Sequence, residues 1–191
     1  DFCLSRGLGD VYKRQVAGAA NGRNPLSLLK IVAPAYFTAL GTQSSAATIP
    51  VTLRQVRKTG ASQKVADFAV PLLANIHLSG STITLTSCAM GVMILNGQTP
   101  TFSIMMPFIL MLGVTMVAAP GAPGGAVMAA AGLLQSMLGF NETSVSLMIA
   151  LYLAQDSLGT ATNVTGDGAL TMLIHRLTSK KGIGKEEDVP A

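Results

Sequence analysis

The chain has 191 residues, of which 49% are hydrophobic and only 12% are charged, and its formal net charge is +4. Soluble domains usually carry about 25% charged residues, whereas this chain has no Lys or Arg between Lys64 and Arg176. These figures exclude a soluble domain and give no sign of nucleic-acid binding, and they predict an integral protein of the lipid bilayer.

The first residues of the chain differ from the rest. They read DFCLSRGLGDVYKRQ and contain neither the apolar core of a signal peptide nor a regular spacing of hydrophobic residues. We therefore expect residues 1–20 to form a non-native or disordered leader. Basic residues near the other end predict that residues 180–191 form a cytoplasmic tail, because positive charges favour the cytoplasmic side of a membrane.

Residues 25–59 predict a re-entrant helical hairpin. Two apolar arms, LSLLKIVAPAYFTAL and VTLRQVRKTG, flank the hydroxyl-rich stretch GTQSSAATIP, and neither arm can cross about 30 Å of hydrocarbon. A polar stretch at membrane depth is tolerated only where protein or water surrounds it. The stretch is either a simple loop or a site where free backbone N–H groups bind a carboxylate.

Residues 63–95 predict a membrane span that is interrupted by NIHLSGST. Its His77 is either a buried hydrogen-bonding residue or a proton carrier. Residues 99–140 repeat the hairpin design, with PGAPGG at residues 120–125 as the tip. This tip is either a turn or a mobile lid over a site.

Residues 142–178 predict a second span, and this one carries a polar stripe. Asp156, Thr160, Asn163 and Asp167 follow one another at intervals of four, three and four residues, which places them on one helix face over about 16 Å. Hydrogen bonding between helices is an alternative explanation of the stripe. Two carboxylates with no intramembrane Lys or Arg favour a site for a cation, either an alkali metal ion or the ammonium group of a ligand.

The order of these elements predicts an inverted repeat. One full span separates the two hairpins, so the hairpins enter the membrane from opposite faces. Inverted repeats of broken helices are typical of secondary transporters, whose substrate and ion sites lie where the broken segments meet near the midplane. The predicted fold class is therefore an all-α membrane protein with two re-entrant helical hairpins and two transmembrane helices.

At these residues the sequence resembles a known family, the dicarboxylate/amino acid:cation symporters, which have the glutamate transporter fold. The resemblance covers about Pro25 to Ser179, and it predicts a transport-domain core over residues 21–179. Its most specific motif is NVTGD, Asn163–Asp167, and the stretches SSAATIPVT and GAPGG are similar to the family's two hairpin tips. The resemblance implies a sodium symporter of the plasma membrane rather than an enzyme, working by alternating access as a homotrimer in its full-length form.

The resemblance also implies roles for the polar residues. Asp156 is expected to bind the α-ammonium group of the substrate, Asn163 is expected to bind its α-carboxylate, and Thr160 is expected to lie beside its side chain. The other implied residues are Ser44, Ser45 and Ser81 as substrate contacts, Gly121, Gly124 and Gly125 as the gate, and Asn163 and Asp167 as sodium ligands, with Asn75 and His77 as further candidates.

Position 159 departs from the pattern of family members that carry acidic substrates. Those members place an arginine three residues after the aspartate of the stripe, where this chain has Gly159. The stretches QDSLGTATN and STITLT resemble the serine/threonine branch instead. We expect a small neutral amino acid as the substrate, with an acidic amino acid or a dicarboxylate as the alternative.

The interrupted span departs from the family as well. The family's motif Asn-Met-Asp-Gly-Thr reads here as residues 77–81, His-Leu-Ser-Gly-Ser. An aspartate that helps to bind one sodium ion is thereby replaced by Ser79. We expect coupling to fewer sodium ions, or the use of His77 as a proton site.

Intramembrane aspartyl proteases form a different class that also uses two aspartates at membrane depth. The motif GLGD at residues 7–10 resembles one of their motifs, but it lies in the polar leader. Asp156 and Asp167 are about 16 Å apart on one helix, whereas an aspartyl dyad needs two carboxylates in contact. The sequence therefore favours a transporter over a protease.

Overall fold

The computed structural model describes residues 24–180, together with Gln15, Gly18 and Gly22. The predicted leader lies outside the described residues except for Gln15 and Gly18, and the predicted cytoplasmic tail does so except for Lys180, the last residue of the last helix. Every regular element in the described part of the chain is a helix, which confirms the all-α prediction. The seven described helices are α1 Pro25–Thr42, α2 Ser45–Lys58, α3 Gln63–Ile76, α4 Ser79–Leu95, α5 Phe102–Met116, α6 Gly125–Leu138 and α7 Glu142–Lys180.

Helices α1 and α2 pack against each other and are joined by only two residues, Gln43 and Ser44. α1 has a proline in its first turn and is capped by Asn24, whose side-chain oxygen accepts a hydrogen bond from the backbone N–H of Leu26 at 2.9 Å. α2 is capped by Ser44, whose hydroxyl accepts from the backbone N–H of Ala47 at 3.2 Å. Residues 43–48, which comprise the two linking residues and the first turn of α2, are called the first tip below.

Helices α3 and α4 follow one another with a break at His77 and Leu78. Together they form Gln63–Leu95, the one helical stretch among the described residues that is long and apolar enough to cross a membrane. The described helices Leu26–Thr42, Phe102–Met116 and Gly125–Leu138 are apolar but shorter. Residues 120–125, which comprise the end of the segment between α5 and α6 and the first residue of α6, are called the second tip below.

Helix α7 is the central element of the fold. It has 39 residues and is therefore about 58 Å long, and it contacts α1, α2, α3, α4 and α6. From Gly159 to Ala169 every residue is buried, so this part of α7 is surrounded by protein on all sides. The polar stripe therefore lies inside the helix bundle.

Candidate functional site

Asn163 joins α7 to the break between α3 and α4. Its side-chain oxygen accepts a hydrogen bond from the backbone N–H of Gly80 at 2.8 Å, and its amide nitrogen donates to the hydroxyl of Ser81 at 2.9 Å. All three residues are buried. The structure thus brings two of the expected substrate contacts, Ser81 and Asn163, into direct contact at the start of α4.

Asp167 contacts the same break one turn further along α7. Its carboxylate oxygen lies 2.8 Å from Nδ1 of His77, and only 1% of the Asp167 side chain is exposed. Two of the residues expected around sodium are therefore adjacent. Asn75 is not part of this group of contacts, because it is exposed and its amide donates to the carbonyl of Pro71 at 3.1 Å.

Asp156 connects the other end of the stripe to the second tip. One of its carboxylate oxygens accepts a hydrogen bond from the backbone N–H of Gly124 at 2.8 Å, and the other lies 3.4 Å from the hydroxyl of Thr160. The side chain of Tyr152 also hydrogen-bonds to Asp156. Gly124 is the N-cap of α6, so a buried carboxylate stands at the positive end of that helix.

The two tips contact each other at Gly121. Its carbonyl oxygen accepts two hydrogen bonds from the first tip, one from the hydroxyl of Ser44 at 2.8 Å and one from the backbone N–H of Ala46 at 3.1 Å. A β-carbon at position 121 would lie 2.5 Å from the carbonyl oxygen of Ala74. The close approach of the tips to α3 therefore requires glycine at this position.

A small cavity lies between the two tips and α7. Its volume is about 10 Å³, which is enough for roughly one water molecule. An amino acid can enter only if the tips separate. Five of the expected substrate-binding residues line it, namely Ser45, Ser81, Asp156, Thr160 and Asn163, and the other lining residues are Gln43, Leu78, Pro120, Gly121, Ala122, Ala126 and Tyr152.

Two polar residues of the cavity wall are absent from the sequence-based prediction, Gln43 and Tyr152. Tyr152 precedes Asp156 by four residues, so the helical spacing that defines the stripe could have included it. Gln43 lies outside any helix, and no periodicity points to it.

Gly159 faces the start of α4 rather than open space. A β-carbon at this position would lie 3.2 Å from the hydroxyl oxygen of Thr84 and 3.5 Å from the backbone nitrogen of Ser81. At Gly80, directly opposite, an added β-carbon would overlap the carbonyl oxygen of Gly159. The two glycines thus allow α4 and α7 to approach closely beside the cavity.

Sequence comparisons relate the chain to known transporters. The family described as "Sodium:dicarboxylate symporter family" matches residues 14–177. Excitatory amino acid transporter 2 of Homo sapiens is 26% identical over 179 residues, covering 91% of this chain and 30% of that protein. Neutral amino acid transporter B(0) of Rattus norvegicus is 28% identical over 146 residues, covering 76% of this chain and 26% of that protein. The chain thus spans less than a third of the length of these relatives.

Proposed function

The chain belongs to the sodium:dicarboxylate symporter family, and we propose that it carries the substrate site of a symporter for small neutral amino acids. The family and the relatives are transporters, so the expectation that the chain is not an enzyme is confirmed. The observation that carries the proposal is a buried carboxylate, Asp156, in a cavity that no basic residue lines within the described part of the chain.

Asp156 is the proposed ligand of the substrate's α-ammonium group. A charge-assisted hydrogen bond between an ammonium group and a carboxylate is stronger than the bond that a neutral N–H can make. Asp156 accepts a hydrogen bond from the backbone N–H of Gly124. When the second tip moves away, the ammonium group of the substrate replaces this N–H as the donor to Asp156. The α-carboxylate of the substrate then lies towards Asn163, and its side chain lies towards Thr160 and the hydroxyl groups of Ser44 and Ser45.

No basic residue lies among the described residues that line the cavity, and this supports a neutral substrate. A second carboxylate on the substrate would enter a buried site without a positive partner, which costs several kcal/mol or more. Gly159 supplies no side chain to the site, and it packs against Thr84. The alternative, an acidic amino acid or dicarboxylate substrate in the same family, draws support from relatives named as excitatory amino acid transporters.

Sodium is proposed as the coupling ion that travels with the substrate. Asp167 and Asn163 supply carboxylate and amide oxygens, which suit a hard cation. His77 already lies against Asp167 and is a further candidate, whereas Asn75 would have to leave its bond to Pro71. Because Ser79 stands where the family motif has an aspartate, we propose fewer coupled sodium ions, with a proton on His77 as the second possibility.

The proposed architecture is an inverted repeat in the plasma membrane. Helices α1 and α2 form one re-entrant hairpin and α5 and α6 form the other, and the direct contact between their tips at Gly121 supports entry from opposite faces. Apolar side chains such as Phe102, Leu110 and Val114 are 63–77% exposed and suit contact with lipid. A homotrimer of the full-length protein is the proposed assembly.

Uptake into proteoliposomes that contain the full-length protein tests the proposal. We expect an inward sodium gradient to drive the uptake of serine, threonine or alanine, and replacement of sodium by choline to abolish it. Robust glutamate or succinate uptake with no serine uptake would overturn it. The same assay, run at two pH values with the unchanged protein and with His77→Asn, distinguishes sodium coupling from proton coupling. Uptake that needs sodium, does not change with pH and survives the substitution would exclude a proton on His77.

A further inference from the structure

We infer that Gln43 determines which substrate side chains are accepted, because its amide can hydrogen-bond to a hydroxyl or carboxamide group of the transported amino acid. The inference rests on the proposed transport of neutral amino acids and adds a specificity residue to it. Gln43 lies at the start of the first tip and lines the cavity together with Asp156, Thr160 and Asn163.

The backbone of Gln43 has an unusual conformation. Its φ and ψ angles are 52° and 22°, in the left-handed region. This region is unfavourable for residues with a β-carbon other than Asn and Asp. Every other described residue with positive φ is glycine. Glycine would fit this position better than glutamine, so the glutamine side chain itself is the reason to look for a role.

The backbone and side chain of Gln43 differ in their hydrogen bonding. The backbone N–H donates to the carbonyl of Ala39 at 3.0 Å and ends α1. The side-chain amide has no hydrogen-bond partner among the described residues. By contrast, both polar atoms of the Asn163 amide are bonded to α4. Gln43, which is partly buried, therefore adds a residue with an unused side-chain donor and acceptor to the lining of the cavity.

The chemistry of an amide defines the substrates that it favours. It offers one acceptor oxygen and two N–H donors, which match a hydroxyl or a carboxamide without any change of net charge. An apolar side chain would leave the amide desolvated and unbonded, which disfavours that substrate. A carboxylate would receive hydrogen bonds but no countercharge. Gln43 thus favours serine, threonine or similar polar neutral substrates over alanine.

Two variants of the full-length protein in proteoliposomes test this role. Gln43→Gly removes the side chain and suits the left-handed backbone, whereas Gln43→Asn keeps a shorter amide in a conformation that Asn tolerates. The readout is the ratio of kcat/KM for serine to kcat/KM for alanine. We expect Gln43→Gly to lower this ratio roughly three- to tenfold and Gln43→Asn to lower it less.

Gln135→Ala on the exposed surface of α6 is the control, and its ratio is expected to equal that of the unchanged protein. An unchanged serine-to-alanine ratio in Gln43→Gly would overturn the inference and leave Gln43 a purely conformational part of the tip. Failure of the proposed function is a different result, since the unchanged protein would then take up no neutral amino acid at all.

Discussion

The first tip is held in place by its own hydroxyl groups, whereas the second tip is held by groups that belong to other helices. In the first tip, Ser44 caps α2, and the hydroxyl of Thr48 donates to the carbonyl of Ser44 at 2.7 Å. In the second tip, the N-cap of α6 is Gly124, which has no side chain. Its backbone N–H is bonded to Asp156, and the carbonyl of Gly121 is bonded to Ser44.

This difference indicates which tip is the better lid. The first tip keeps its internal bonds at Ser44 and Thr48 when the tips separate, and it loses only the bonds from Ser44 and Ala46 to Gly121. The second tip loses the bonds of Gly121 and Gly124 as soon as it leaves α7 and the first tip, and other donors can then replace it at Asp156. We therefore propose that the second tip makes the opening movement and that the first tip forms the fixed wall.

Among the substitutions that test these roles of the two tips, Asp156→Asn should have the largest effect on substrate binding. The amide oxygen can still accept from Gly124, so the second tip still closes, but the negative charge for the ammonium group is lost. We expect serine affinity to fall roughly 30- to 1,000-fold, the cost of removing one partner of a buried charge pair. Binding to the purified protein measures this loss.

Asp67→Asn is the matched control, because that carboxylate is exposed and lies outside the cavity. It should leave serine affinity unchanged. An Asp156→Asn protein with unchanged affinity would show that the ammonium group binds elsewhere.

Gly121→Ala should have the next largest effect, because it prevents the tips from meeting. The added β-carbon would lie 2.5 Å from the carbonyl oxygen of Ala74, so the second tip cannot reach its closed position. Overpacking of this kind costs about 1–3 kcal/mol, and we expect uptake to fall roughly tenfold. Initial uptake rates measure the effect.

Gly132→Ala serves as its control, since no atom lies within 4 Å of a β-carbon added there on α6. Its uptake rate should be normal. Equal rates for both variants would mean that closure at Gly121 is not needed for transport.

Ser44→Ala should have the smallest effect and should loosen both tips slightly. It removes the N-cap of α2, which contributes about 1 kcal/mol, and one of the two hydrogen bonds to Gly121, while the bond from Ala46 remains. We expect uptake to fall roughly fivefold. A cysteine introduced on the second tip by Ala122→Cys should also react faster with a thiol reagent in the Ser44→Ala protein than in the protein with Ser44. Ser44→Thr should restore both values, and an unchanged labelling rate would argue against a link between the tips.

The sequence allows some of this structure to be predicted, for physical reasons that differ between elements. The all-helical fold follows from long apolar segments, because a membrane forces backbone groups to bond within each segment. The position of the stripe residues on one helix face could be predicted because the helical period relates residues that are close together in the sequence. The contact between Ser81 and Asn163 joins residues 82 positions apart, and nothing in either segment specifies it.

Asn75 and Gln43 illustrate the limits of motif-based prediction. Asn75 lies two residues before His77, yet its amide bonds back to Pro71 within α3, because a local partner is available one turn away. Gln43 adopts a left-handed conformation only because α1 ends there and α2 starts two residues later. Both results depend on the geometry of helix ends, which hydrophobic patterns do not encode.

The contact between Gly80 and Gly159 has a consequence for the evolution of cargo selection. A side chain at position 159 would press against Thr84, and one at position 80 would overlap the backbone of α7. At position 159 the hydroxyl of Thr84 would have to shift by a few tenths of an ångström, whereas at position 80 the backbone of α7 itself would have to move. Under the proposed function, a basic residue that admits an acidic substrate is therefore easier to introduce at Gly159 than at Gly80.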